Sequence, residues 1–146
     1  SLNTNGVEIS ANSNLKGIIP IINFVSASYT KLWVEKEIGD VESYYVLDYL
    51  KHSFRLGINH KLLSKMSASW NFSWQQREGE YFSYSMGENT TYKPFWLIDL
   101  KLNWTTTKFM VYAEATNIFD TKYIDIANVY QPSRWISMGF SYKFNW

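Results

Sequence analysis

Arg134-Trp-Ile-Ser-Met-Gly-Phe-Ser-Tyr-Lys-Phe-Asn-Trp146 is the stretch on which the reading of the whole chain turns. One parity holds Ile136, Met138, Phe140, Tyr142, Phe144 and Trp146, all apolar or aromatic. The other holds Ser137, Gly139, Ser141, Lys143 and Asn145, all small or polar. Successive side chains in a strand point to opposite faces, so the segment has one apolar and one wet face. An amphipathic strand of about ten residues with aromatics near its ends is the repeating unit of a membrane-spanning β-barrel.

The same alternation recurs upstream. Residues 65–75 set Met66, Ala68, Trp70, Phe72 and Trp74 against Ser67, Ser69, Asn71, Ser73 and Gln75. Residues 53–62, 95–104 and 108–117 follow suit, with Arg55, Lys61, Asp99, Lys101 and Glu114 on the wet parity. Residues 19–33 read as a longer, less regular strand, and residues 7–11 as a short one. No long segment has the three- and four-residue apolar spacing of a helix. Connections alternate too: tight turns are expected at 12–17, 62–65 and 105–107, and long polar loops at 34–50, 77–93 and 118–133. Short turns at one end and long loops at the other are the asymmetry of outer-membrane barrels.

Composition agrees. The chain is 46% hydrophobic and 18% aromatic, with 7 Trp and 11 Tyr, yet its mean hydropathy is −0.27. Its longest apolar patch, Ile18-Ile-Pro-Ile-Ile22, is far short of the roughly 18 residues that a spanning helix needs. A net charge of +1 gives no reason to expect nucleic acid as a partner. The absence of cysteine removes disulfides and thiolate chemistry. Trp96 and Trp104, eight residues apart on one parity, would lie about 26 Å apart along a strand. That spacing suits indoles at the two edges of an apolar band about 25 Å tall. Seven strands is an odd number, and an open sheet in lipid would leave its edge groups unpaired. The expectation is therefore a fragment, an internal start or mature product, of a larger barrel.

Two resemblances sharpen this. Ser137-x-Gly139-x-x-Tyr142-x-Phe144, with Trp146, resembles the C-terminal assembly signal of bacterial outer-membrane proteins. Asn117-Ile-Phe-Asp120 with Tyr123, followed by Pro132-Ser-Arg134, resembles the end of TonB-dependent outer-membrane receptors, Ser133 replacing the usual Gly. Asn5-Gly-Val-Glu-Ile9 is similar to the opening of a mid-barrel strand in that family. The resemblance implies an all-β fold: the C-terminal seven antiparallel strands of a transmembrane barrel of about 22 strands filled by a plug domain. That plug is absent from residues 1–146. The partners implied are the rest of the barrel and its plug, the TonB complex, outer-membrane lipid and a surface lipoprotein that captures ligand. The run Ile126-Ala-Asn-x-x-Gln-Pro-x-Arg-Trp135 most resembles vitamin B12 transporters of gut-dwelling Bacteroidota.

No cofactor, metal site or enzyme is expected. HExxH, CxxC, GxSxG and glycine-rich phosphate loops do not occur. His52 and His60 fall eight residues apart in one strand, over about 20 Å. Ligand contacts are expected from the long loops, where Tyr44, Tyr45, Tyr81, Tyr84, Tyr92 and Tyr130 offer aromatic faces and hydroxyls to a bulky polar cargo. Active uptake of a scarce large nutrient, with cobalamin as the first cargo, stands against a passive porin-like or structural barrel and a soluble lipid-binding barrel with the apolar parity turned inward. Within active uptake, a ferric siderophore is the rival cargo.

Overall fold

The computed structural model describes residues 2–36 and 48–144. Its frame is a seven-stranded antiparallel sheet. In chain order the strands are β1 (Leu2–Asn14), β2 (Ile22–Lys36), β3 (Tyr49–Leu63), β4 (Met66–Glu78), β5 (Glu80–Ser83), β6 (Glu88–Thr91), β7 (Phe95–Thr105), β8 (Phe109–Thr116), β9 (Ile124–Ile126), β10 (Val129–Tyr130) and β11 (Trp135–Tyr142). The sheet runs β1-β2-β3-β4-β7-β8-β11, while β5–β6 and β9–β10 form two separate hairpins.

Register gathers the apolar residues of all seven strands on one face of the sheet. Neighbouring strands align Ser13, Val25, Ile58, Trp70, Leu100, Ala115 and Ile136 in one cross-strand row. Ile9, Tyr29, Phe54, Trp74 and Trp96 form another. A slip of one residue would turn every such side chain to the other face, so the shared parity fixes the register. Ala68 and Tyr92 are the only buried apolar residues among those described, whereas Ile9, Trp96, Ile136, Met138 and Phe140 are each more than half exposed. The described residues therefore form no apolar core between two layers. They have an apolar face that requires a covering.

The polar face is the concave one. Ser10, Asn12, Ser26, Ser28, Arg55, Asn71, Ser73 and Asp99 line a depression of about 540 Å³. Beside it, Asn23 donates to Asn59 (2.8 Å), which donates to Ser69 (2.8 Å). On the same face Lys101 pairs with Glu114 at 3.3 Å. A soluble barrel with its apolar parity turned inward would show the opposite arrangement.

Several bounds differ from expectation. β1 is not the short strand of residues 7–11; it pairs with β2 through all 13 positions from Leu2 to Asn14. Its Asn, Ser and Thr residues blur the alternation, and β2 supplies the ladder that holds it. The strand expected from residue 19 starts at Ile22 instead. Ile18, Ile19 and Ile21 are exposed in the turn, where Pro20 lacks the N–H that a ladder needs. β11 ends at Tyr142, opposite Phe109 at the start of β8; one further bond runs from the Lys143 amide to the Lys108 carbonyl (2.8 Å). The long loops expected at 77–93 and 118–133 carry their own hairpins, β5–β6 and β9–β10. β1 and β11 occupy opposite edges, so the described strands form an open sheet.

Candidate functional site

The long connections after β4 and β8 leave the sheet at the end where β2 stops at Lys36, and there two hairpins meet. Gly79, at φ 121°, turns the chain out of β4 into β5 in a conformation that only glycine adopts freely. Asn128, at φ 58°, makes the tight turn between β9 and β10, and its amide grips the first hairpin. Its Oδ1 accepts the Tyr84 N–H (3.2 Å) and its Nδ2 donates to the Phe82 carbonyl (2.6 Å). Arg77, at the top of β4, donates through Nε and Nη2 to Asp125 Oδ1 (3.1 and 3.0 Å). Both partners are only partly exposed, so this charge-assisted contact is less screened than a surface pair.

Beside the hairpins, Asp48, Arg77, Glu80, Tyr81, Phe82, Tyr92, Asp125, Ile126 and Ala127 line a half-open hollow of about 550 Å³. Tyr92 donates its hydroxyl to Asp48 Oδ2 (2.6 Å), its ring lies 4.9 Å from that of Tyr81, and the Arg77 guanidinium sits over it at 5.8 Å. Burial first, and the Asp48 hydrogen bond second, push the Tyr92 phenol up to about 12. The other Asp48 oxygen is buried and has no partner among the described residues. An acceptor in that state costs free energy until a donor reaches it.

The candidate tyrosines thus separate. Tyr81 and Tyr92 line the hollow, but Tyr92 is 7% exposed and its hydroxyl is engaged, so it braces the wall. Tyr84 and Tyr130 are open, at 81% and 70% exposure. Tyr44 and Tyr45 lie outside the described residues. Asp48, Arg77 and Asp125 come together only in three dimensions: Arg77 and Asp125 are 48 positions apart, and no local pattern marks them.

Asn117-Ile-Phe-Asp120 builds the junction between the top of β8 and β11. Asn117 is 5% exposed at φ 49°. Its side chain closes a loop on Thr121, donating to the carbonyl (2.9 Å) and accepting from the amide (2.8 Å). Its own amide donates to Asp99 on β7 (2.8 Å). Asp120, at φ 55°, accepts the Arg134 amide (2.9 Å), and that bond, followed by the one from Lys122, holds its carboxyl below the usual range. Tyr123 packs on Phe95 at 4.3 Å, while Phe119 is exposed. Ser133 in the place of Gly does not disturb the turn, since Arg134 still reaches Asp120 and its guanidinium donates to the Ile118 carbonyl (3.4 Å).

In the terminal strand β11, Gly139 stands opposite Tyr112 of β8. A Cβ at Gly139 would overlap the Tyr112 ring, and Lys101 caps that ring at 4.4 Å. Tyr142 and Phe144 meet edge to face at 4.9 Å; Trp146 lies outside the described residues.

The sheet superposes on FpvA of P. aeruginosa solved with heterologous pyoverdine and iron, with a TM-score of 0.72 and 20% identity over 95% of this chain. It has the fold of part of FpvA. A second structure, FpvAI in complex with pyocin S2, gives a TM-score of 0.71 at 20% identity over 95% of the chain. The chain spans 19% of the length of each FpvA chain. No protein-family model and no curated protein matches it.

Proposed function

We propose that this chain is the C-terminal part of a TonB-dependent outer-membrane receptor, seven strands from the wall of a plugged barrel of about 22. The observation that carries the reading is the division of faces: apolar rows continuous over five and six strands on one side, polar residues lining the concave side. An outer-membrane barrel wall divides its faces in this way, lipid outside and wet lumen within. The likeness to FpvA, a TonB-dependent receptor, supports the same family. On this reading the protein imports a scarce large nutrient without altering it chemically. The plug engages TonB, and a surface lipoprotein hands over the ligand. The hollow beside the two hairpins is the part of this segment that meets cargo.

Cobalamin remains the first cargo by loop chemistry. Arg77, the cation in the hollow, is neutralised by Asp125, and Glu80 and Asp48 also line it. A hollow with carboxylates, aromatic rings and an unsatisfied acceptor suits a large, nearly neutral donor of amide N–H groups better than an anionic ferric chelate. A ferric siderophore is the second reading, favoured by the pyoverdine and iron bound to FpvA.

The complete receptor, expressed in outer membranes, tests both levels. Uptake of radiolabelled cyanocobalamin should stop when a protonophore collapses the inner-membrane gradient; undiminished uptake would favour a passive pore. Equilibrium binding of cyanocobalamin beside several ferric siderophores decides the cargo. Tight binding of a siderophore alone would overturn cobalamin and leave the receptor intact.

A further inference from the structure

We infer that Lys31 forms a docking point for the phosphate of an anionic lipid headgroup on the outside of the sheet. The inference rests on the barrel reading above. Lys31 lies on the apolar parity of β2, with Tyr29 and Trp33 on either side of it, and is in register with Val7 of β1 and His52 of β3. Elsewhere the paired positions of this face hold no lysine or arginine among the described residues.

Its level on the sheet is defined by aromatic rings. Tyr29, His52, Trp74 and Trp96 form a chain of contacts across β2, β3, β4 and β7, with centroids 6.0 to 6.2 Å apart. The Tyr29 hydroxyl bonds to His52 Nδ1 at 2.7 Å. These rings mark an interfacial belt at the end from which the long loops leave. Lys31 follows Tyr29 by one step on the same face, toward the loops, where a lysine stem can lie along apolar surface while its ammonium reaches the headgroups.

The ammonium is also available. It sits 4.8 Å from the Trp33 ring centroid, and no carboxylate pairs with it among the described residues. Of the neighbouring charges, Lys51 is satisfied by Glu78 at 2.7 Å. Glu35 lies four residues further along β2, about 13 Å away along the strand. An unpaired cation flanked by two exposed rings, Tyr29 and Trp33, offers a phosphate both charge and an amphipathic seat.

The test uses the complete receptor purified into nanodiscs of phosphatidylcholine containing a minor fraction of a phosphorylated glycolipid, with retained lipid counted by native mass spectrometry. Lys31→Gln should lower glycolipid retention about fivefold, the effect of one cation near a charged lipid surface, and Lys31→Arg should preserve it. Heat-modifiable migration reports separately whether the barrel has folded. A folded barrel that retains glycolipid equally with Gln at position 31 overturns the site alone, and a receptor that never inserts overturns the barrel reading with it. Binding of millimolar inorganic phosphate that depends on Lys31, with no glycolipid retained in its absence, would assign the site to the free ion and overturn the lipid proposal.

Discussion

Replacing Asn117 separates backbone conformation from hydrogen bonding at the β8–β11 junction. The residue occupies the left-handed region at φ 49°, which costs an alanine about 1–2 kcal/mol. Its side chain also makes the two bonds to Thr121, each contributing about 1 kcal/mol. Asn117→Ala loses both bonds and takes on the strain, about 3–4 kcal/mol in all. Asn117→Gly loses the bonds but accepts the conformation, so it should cost about 2 kcal/mol. The natural readout is hydrogen exchange at the Thr121 amide, bonded to Asn117 itself, and at the Arg134 amide, bonded to Asp120. In the folded receptor, exchange at these amides should accelerate on the order of a hundredfold or more for Ala and about thirtyfold for Gly, taking about 1.4 kcal/mol per tenfold. Equal acceleration by the two variants would remove the conformational part of the argument. No acceleration by either would show that the motif does not hold the junction.

Gly139→Val should reduce the yield of folded, heat-modifiable barrel, because its side chain would occupy the space of the Tyr112 ring, with an overpacking cost of about 1–3 kcal/mol; adding Tyr112→Ala should restore much of that yield. Deleting residues 144–146 should lower folded receptor in the outer membrane while leaving binding by the assembled fraction unchanged, as quantitative blots and ligand titration would show. Tyr92 should titrate near 12 rather than 10. Since its folded pKa is raised, its contribution to stability is complete below about pH 10 and is lost as pH climbs through about 12. An ultraviolet titration of phenolate should lose one late-titrating tyrosine in Tyr92→Phe.

The alternating frame of the sheet was legible because its cause is local. A period of two over residues 65–75 or 134–146 follows from the side chains themselves, and register then needs only that apolar parities match. β1 was underestimated because Asn3, Asn5, Ser10 and Asn12 carry little hydrophobic contrast, and its 13 pairings are supplied by β2. The patch around Pro20 misled in the opposite way, since apolar content outweighed a missing backbone donor. The hairpins within the loops were invisible for a similar reason: Glu80–Ser83 and Glu88–Thr91 are too short to show a period. The roles of Asp48, Arg77, Asp125 and Asn128 depend on three connections being brought together by the sheet below them. Asn117 and Asp120 stood out only as members of the Asn-Ile-Phe-Asp run; that one holds Thr121 and the other Arg134 required coordinates.

The central claim is that the apolar parity faces lipid and the polar parity faces water. Nitroxide labels placed singly at positions 66 to 75 of the complete receptor in liposomes measure this directly, through collision with oxygen, concentrated in lipid, and with a water-soluble nickel chelate. Labels at 66, 68, 70, 72 and 74 should favour oxygen and those at 67, 69, 71, 73 and 75 the chelate, alternating with period two. Uniform accessibility, or the opposite phase, would contradict the account.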